Sequence, residues 1–600
     1  MRVIILSSVL IGSILLSGCA EKVRKEKPIN VIMILTDDQG YGDIGFHGNP
    51  WIQTPNLDKL ATESIRFTNF HVGTTCAPTR AGLMSGAHCN RTGTWHTILG
   101  RSFLSTRYKT LPAYLTEASY HTGIFGKWHL GDNYPFRPQD RGFQEVLIHG
   151  GGGVGQTPDY WGNDYFDDTY WRNGEAETFS GYCTDIWFEN AISYIDAQTQ
   201  TPNPFFCYIS TNAPHGPHHV PQSYIDMYAD NEDVPHPAFY GQITNMDDNI
   251  GKLMTYLEEK ELLENTLLLF LTDNGTSQGA KLDKDQQVLE GYNAGMRGKK
   301  ASQYEGGHRV PLFMRLPASI KAAKAEFHEL TSYTDILPTI LDFLQLSPTN
   351  TTDGRSLKKL IENGEQAELK ERILITDTQR EEWVEKWKRT SVMQDNWRLV
   401  NNEELYDVSQ DPGQIKNLIE EFPQKTEELS LFYEQWWEDL QKDLEYENRI
   451  VIGNEAEPTS LLTAHDWHAE EMPPWHQNMI RAARVANGYW SLDIQQAGEY
   501  HVSLYRWPPY SKLTLRDTLP LGDEVPGGRP FERGIGIQID KAEVVINNQV
   551  FPLALNEAQT AFEGSISLEK GPLDLSTVMT SPDGTQRGAY FAEIGWNKEN

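Results

Sequence analysis

The chain has 600 residues and a formal net charge of −31, with 39% hydrophobic and 11% aromatic content. That length exceeds a single compact core, at roughly 150 residues per domain, and no low-complexity tract or clear repeat interrupts it. The acidity excludes nucleic acid as a partner, because a phosphate backbone requires a basic surface, and it obliges any anion site to be a local basic pocket.

Residues 1–18 combine Arg2 with an apolar run over 3–16 and end in Leu16, Ser17 and Gly18 before Cys19. This reads as a secretory signal, too short for a membrane span. Its ending resembles a bacterial lipobox, which implies a lipid on Cys19 and an exported protein anchored in the cell envelope, in the periplasm or at the outer membrane or cell surface. Residues 19–27 then form a charged, solvated tether.

From residue 28 onward, short apolar runs alternate with longer amphipathic stretches, which predicts a mixed, mostly parallel α/β sheet flanked by helices over 28–370. The runs VIMIL (31–35), FFCYIS (205–210) and LLLFL (267–271) read as buried central strands. Polar groups follow each: Asp37 and Asp38, the segment TNAPHGPHH (211–219), then Asp273 and Asn274. In open α/β sheets such groups converge on a crevice at the carboxyl ends of the strands. The spacing of Ile243, Met246, Ile250, Leu253 and Leu257 predicts a helix over 239–259. The Gly- and Asp-rich stretch 150–181, with four glycines at 150–153, reads as a flexible rim; no Lys-Ser or Lys-Thr follows to make it a P-loop.

After the turn-rich segment 347–354, residues 371–446 offer the short strands RILIT and WRLV and a helix carrying Leu431, Trp436, Trp437 and Leu440, a small α+β subdomain. Residues 447–600 change to alternating strands such as GEYHVSLYRW (498–507) and GIGIQID (534–540), the pattern of an appended all-β domain, as in a sandwich.

Asp37, Asp38, Asp273 and Asn274 form an oxygen-only set suited to a hard cation, Ca²⁺ or Mg²⁺. Any one alone would be read as a cap or turn residue; two pairs in one α/β domain point to a metal site. Arg80, Lys127, His129, His215 and Lys300, in so acidic a chain, suggest a pocket for a tetrahedral anion. Pro78 suits a first helical turn, which sets Cys76 at or just before a helix N-terminus.

The segment TTCAPTRAGLMSG (74–86) resembles the first signature of the sulfatase family, and SYHTGIFGKWHLG (119–131) resembles its second, departing at Ser119. LTDDQG (35–40), APHGPH (213–218), LTDNG (271–275) and KASQYEGGHRVP (300–311) resemble further family blocks in the expected order, and ELYDVSQDPGQIKNL (404–418) resembles the family's C-terminal subdomain. The resemblance covers about 29–440 and implies an alkaline-phosphatase-like fold. It further implies that a separate maturation enzyme oxidises Cys76 to formylglycine, and that Asp37, Asp38, Asp273 and Asn274 with residue 76 hold one Ca²⁺, Mg²⁺ being the alternative. In that reading the hydrated aldehyde attacks sulfur, assisted by Asp273, while Arg80 and Lys127 hold the diol and the anion. His215 and Lys300 contact sulfate and protonate the leaving oxygen, and His129 takes the proton whose loss expels sulfate. Lys300 is preferred to Lys299 because it stands five residues before Glu305. WHTILGR (95–101) resembles a block of some bacterial sulfatases and offers His96 and Arg101 to a sugar. With Cys19 lipidated and Cys76 modified, Cys89, Cys183 and Cys207 allow at most one disulfide.

The implied activity is hydrolysis of a sulfate ester on a sulfated polysaccharide or oligosaccharide. The competing readings are a phosphate or phosphonate ester hydrolase on the same scaffold, and a catalytically inert, glycan-binding surface lipoprotein.

Overall fold

Ten strands in chain order make the main sheet: β1 (Asn30–Thr36), β2 (Ile65–Phe67), β3 (His121–Lys127), β4 (Glu145–His149), β5 (Thr169–Arg172), β6 (Glu175–Thr178), β7 (Phe205–Ser210), β8 (Thr266–Thr272), β9 (Leu312–Arg315) and β10 (Glu326–Phe327). They come from a computed structural model that describes residues 28–367 and 369–597. The signal at 1–18, Cys19 and the tether at 19–27 lie outside the described residues. The spatial order is β10-β2-β9-β8-β1-β7-β3-β4-β5-β6. The five central strands from β8 to β4 are all parallel, as expected, and antiparallel strands flank them.

β1 shows why these strands read as unbroken apolar runs. Val31, Met33 and Leu35 point into one core while Ile32 and Ile34 point into the other, because successive side chains of a strand alternate in direction and both faces here are covered. The helix α1 (Cys76–Ser85) lies on the first face, entirely buried. On the second lies α2 (Pro237–Glu259), whose Ile243, Met246, Ile250, Leu253 and Leu257 are all buried. The helix α3 (Ile336–Phe343) returns to the first face. Cys76, Cys89, Cys183 and Cys207 are all free thiols. No helix among the described residues is long and apolar enough to cross a membrane.

The subdomain is a four-stranded antiparallel sheet, β11 (Ile373–Asp377), β12 (Thr390–Gln394), β13 (Trp397–Val400) and β14 (Glu404–Asp407), followed by α4 (Pro423–Leu444). Leu429 and Tyr433 of α4 enter a small core with Val392, Leu399 and Leu405, and Trp436 and Trp437 pack on it. Leu440 is buried as well, whereas Leu431 is 55% exposed and lies off the packed stripe.

Strands between residues 450 and 596 build a second ten-stranded array, antiparallel except where Ile450–Ile452 runs beside Tyr489–Ile494. Strand Gln549–Leu555 belongs to both halves, pairing with Lys541–Ile546 on one side and Ala561–Leu568 on the other. Trp490, Leu492, Val502, Leu504 and Ile594 from the two halves share one core, the arrangement of a sandwich. The alternation of GEYHVSLYRW holds at strand Gly498–Tyr505, but the strand expected at GIGIQID is corrected: only Gly534 makes a bridge, to Leu519. The glycines there serve close approach, since a Cβ on Gly536 would lie 2.1 Å from the Arg516 carbonyl oxygen. Phe103 and Phe136 of the α/β part stack at 4.9 Å and join the core of the C-terminal part.

Candidate active site

Three central strands end in the groups that carry the site. β1 stops at Thr36 and delivers Asp37 and Asp38; β8 stops at Thr272 and delivers Asp273 and Asn274; β3 ends on Lys127, with His129 two residues further on. Thr36 pairs in register with Thr272, so both acidic pairs emerge side by side. The Asp38 N–H donates to Asp273 Oδ1 at 3.1 Å and Asn274 Nδ2 donates to Asp38 Oδ1 at 3.0 Å. Asp38 (φ 67°) and His129 (φ 60°) hold left-handed backbone conformations, a strain that concentrates at working sites.

Residue 76 faces this cluster from the first position of α1, after Thr75 in extended conformation. Its Sγ–H donates to Asp37 Oδ1 at 3.2 Å, and Lys300 Nζ lies 3.7 Å from the sulfur. The Thr79 hydroxyl donates to the Asp273 carbonyl at 2.6 Å and fixes the helix to the end of β8. Ligand atoms of Asp37, Asp38, Cys76 and Asp273 all lie within 4.8 Å of one another, and Asn274 Oδ1 is a buried acceptor with no protein partner. Carboxylates gathered around one point, with an orphaned amide oxygen beside them, fit a single hard divalent cation. Burial, then the neighbouring Asp37, raise Asp273 to about 7, and a bound cation would reverse that. Burial and Asp37 also push the Cys76 thiol up, so the unmodified side chain is a poor nucleophile.

Each acid has its own cation. Lys127 Nζ meets Asp37 Oδ2 at 2.6 Å, Arg80 Nη2 meets Asp273 Oδ2 at 2.8 Å, and Lys300 Nζ meets Asp38 Oδ1 at 2.6 Å. Although burial opposes ionisation of Asp38, Lys300 and His215 hold it well below the usual carboxylate range. Arg80 and Lys127, expected to hold the diol and the anion, are fully buried and paired with Asp273 and Asp37. Lys300 reaches the cavity, while Lys299 donates to the carbonyls of Ser277 and Ala280 and faces away.

The two histidines have defined proton positions, because a carbonyl can only accept. His129 Nε2 donates to the Thr97 carbonyl at 2.9 Å, which leaves Nδ1 a bare, unpartnered acceptor. His215 Nδ1 donates to the Gly216 carbonyl at 2.5 Å, leaving Nε2 3.9 Å from Asp38 Oδ2. Burial, then Lys300, lower His215 to about 3, and burial, then Lys127, hold His129 well below its ordinary value.

A cavity of about 320 Å³ opens over these groups, and Cys76, His129, His215, Lys300 and the sugar candidate His96 line it. Arg101, the other sugar candidate, is corrected: it does not line the cavity. Its guanidinium stacks on Trp95 at 4.9 Å and Trp383 at 4.2 Å, and its Nε donates to the Glu382 carbonyl at 3.2 Å, which makes it a strut between loops. The glycines at 150–153 are corrected too, since all four are buried in a packed wall. A Cβ on Gly152 would lie 2.3 Å from the His129 ring, and the Gly152 N–H donates to Gln156 Oε1 at 2.9 Å.

Sequence reasoning missed the rest of the wall: Gln156, Arg380, Arg389, Met472 and Trp475. Arg380 and Arg389 belong to the β11–β12 connection, and Met472 and Trp475 to the C-terminal part. The run TQREEWVEKWKR (378–389) held the one available signal, cations beside tryptophans, masked there by interleaved glutamates.

At the strand ends of an α/β sheet the structure thus gathers buried carboxylates that could hold a divalent cation, a cysteine at a helix start and a set of cationic side chains, groups suited to a tetrahedral anion. Residues 29–346 match the sulfatase family model, and residues 298–443 match the model described as N-sulphoglucosamine sulphohydrolase, C-terminal; the chain belongs to the sulfatase family. It is 30% identical over 361 residues to human N-acetylgalactosamine-6-sulfatase, across 55% of this chain and 65% of that protein, just under two thirds of the relative's length. It is 27% identical over 478 residues to an arylsulfatase of Clostridium perfringens (strain 13 / Type A), across 67% of this chain and 92% of that one. Among solved structures it resembles Ps i-CgsB in complex with k-i-k-neocarrahexaose, at 25% identity and a TM-score of 0.61, over 70% of this chain and 95% of that one.

Proposed function

We propose that the chain hydrolyses a sulfate ester on a sulfated saccharide, with residue 76 acting as formylglycine. The observation that carries this reading is the position of Cys76: first residue of α1, 3.2 Å from Asp37 and 3.7 Å from Lys300, between the carboxylate cluster and the open cavity. Asp37, Asp38, Asp273 and Asn274 would hold Ca²⁺ together with residue 76, and the ion would supply charge stabilisation to the sulfate oxygens.

The protein's own groups divide the remaining work. Arg80 and Lys127 pair with Asp273 and Asp37 and hold the two carboxylates in orientation. Lys300, whose charge Asp38 sustains against burial, donates the proton that the leaving oxygen needs. His215 Nε2 takes up a proton when the singly charged sulfate ester enters beside it and shares that hydrogen-bonding duty. His129, with Nδ1 bare, accepts the proton from residue 76 that releases sulfate.

The test is mass spectrometry of the peptide spanning Cys76, made with a formylglycine-generating enzyme, together with inorganic sulfate release from an aryl sulfate. Aldehyde at residue 76 with sulfate release is expected, and Cys76→Ala should lower turnover by about 10³-fold or more. An unmodified thiol with no sulfate release would instead favour the glycan-binding reading. Faster turnover of a matched aryl phosphate would favour the phosphoester reading. Export and lipid attachment at Cys19 belong to the same proposal: radiolabelled fatty acid should enter the wild type in a bacterial host and not Cys19→Ala.

A further inference from the structure

Among the described residues, those that line the active-site cavity include no carboxylate, although the chain has a net charge of −31. Arg380 and Arg389 both line it and are exposed. The acidic residues of their own segment are already engaged: Glu381 and Glu385 by Lys388, and Glu382 by His468. Arg389 donates to the Gln379 carbonyl at 3.2 Å, and among the described residues neither arginine has an ion pair. Both hold left-handed backbone conformations, with φ of 61° and 51°, which costs free energy and persists where surroundings impose it.

Met472 and Trp475 line the same cavity from a segment that lies beyond both matched family models. That segment is stitched to the wall behind His129: the Thr157 N–H donates to the Trp475 carbonyl at 2.9 Å, its hydroxyl to the Pro474 carbonyl at 2.6 Å, and the Gln477 N–H to the Gly155 carbonyl at 3.1 Å. Trp475 is half-buried, and its Nε1 donates to Met472 Sδ at 3.3 Å, which leaves the indole to offer a flat apolar surface. A fixed aromatic surface beside two exposed guanidinium groups without a carboxylate partner suits a sugar ring whose substituents are anionic.

We propose that Arg380, Arg389 and Trp475 form a second anion subsite, which binds a sulfate or carboxylate other than the ester being cleaved while the sugar ring rests on the indole. The proposal rests on the sulfatase reading and narrows its substrate to saccharides with at least two anionic groups close together.

The test compares matched oligosaccharides built on galactose, glucosamine and galactosamine, each bearing one sulfate or that sulfate plus a second sulfate or a uronate carboxylate on the adjoining ring. Mature full-length enzyme should favour the doubly charged member of at least one pair by about tenfold or more in kcat/KM, the worth of one charge-assisted contact. Arg380→Ser with Arg389→Ser should erase that preference mainly through KM, and the Lys variants should restore part of it. Whether sulfate or carboxylate earns the preference identifies the second anion. Equal treatment of paired substrates by the wild type, or equal fold-losses on both members in the double variant, overturns the subsite. Wild-type turnover of 4-nitrophenyl sulfate runs alongside: if that ester and every saccharide resist, the sulfatase reading fails, and calorimetric binding of the same pairs to the wild type decides the subsite alone, no preference overturning it.

Discussion

His129 spends one ring nitrogen on the Thr97 carbonyl and keeps the other bare, and Gly152 lies flat against the ring because nothing larger fits. Gly152→Ala should displace the ring by forcing an overpacked contact worth about 1–3 kcal/mol, and we expect kcat to fall about tenfold or more while urea unfolding shows a smaller loss; unchanged kcat would dissociate the glycine from the histidine. Burial, then the neighbouring Asp37, raise Asp273 to about 7, a cost that a bound cation removes. Calcium at a hundred times its Kd should therefore stabilise the protein by roughly 2.7 kcal/mol, read as a rise in thermal midpoint that chelator reverses. Ser119, where the second signature departs from its family pattern, is exposed with φ 65°. Ser119→Gly should relieve about 0.5–1 kcal/mol of backbone strain, seen as a small gain in urea midpoint. At this scale the chemistry was legible, because strand-end acids and the residue-76 segment are contiguous words in the sequence. Arg101 was not, since only folding reveals that Trp95 and Trp383 enclose it.

Elements obey their own patterns where burial is two-sided or periodic. β1, β7 and β8 and the helix α2 stand where their apolar runs and spacing put them. GIGIQID failed because alternation with glycine satisfies both a pleat and a close crossing, and the neighbouring Arg516 backbone chose the latter. In the subdomain, Asp377 at the end of β11 accepts from Gln379 Nε2 at 2.7 Å and from the Tyr433 hydroxyl of α4 at 3.0 Å. Burial outweighs those bonds and raises it to about 7. A carboxyl with its folded pKa raised binds protons more strongly folded than unfolded, so its contribution is complete below about pH 4 and is lost as pH climbs through about 7. Asp377→Asn cannot ionise, and should flatten the fall in urea stability between pH 4 and 7 by up to about 4 kcal/mol; an identical slope in both proteins would remove Asp377 from the account.

The whole molecule is joined across a seam that composition alone concealed. Phe103 and Phe136 sit in the C-terminal core, Asn448 Nδ2 donates to the carbonyls of Thr92 and Phe103, and Glu457 accepts from the Tyr134 N–H at 3.1 Å. Removing 447–600 should strip that core from two aromatic rings and yield insoluble protein; a soluble, cooperatively unfolding truncation would show the seam to be dispensable. The change of text near residue 447 was plain, but the partnership was not, because contacts between segments 350 residues apart leave no periodic mark. The cavity wall is drawn from three such distant stretches, at 96–98, 380–389 and 472–475, while the sulfur-facing floor comes from strand ends and α1. Under the proposed function, the groups that would cleave and the groups that would select come from distant parts of the chain, so a graft of 469–477 onto a sulfatase that ends before residue 447 should shift its preference between the paired saccharides, read as a change in their kcat/KM ratio.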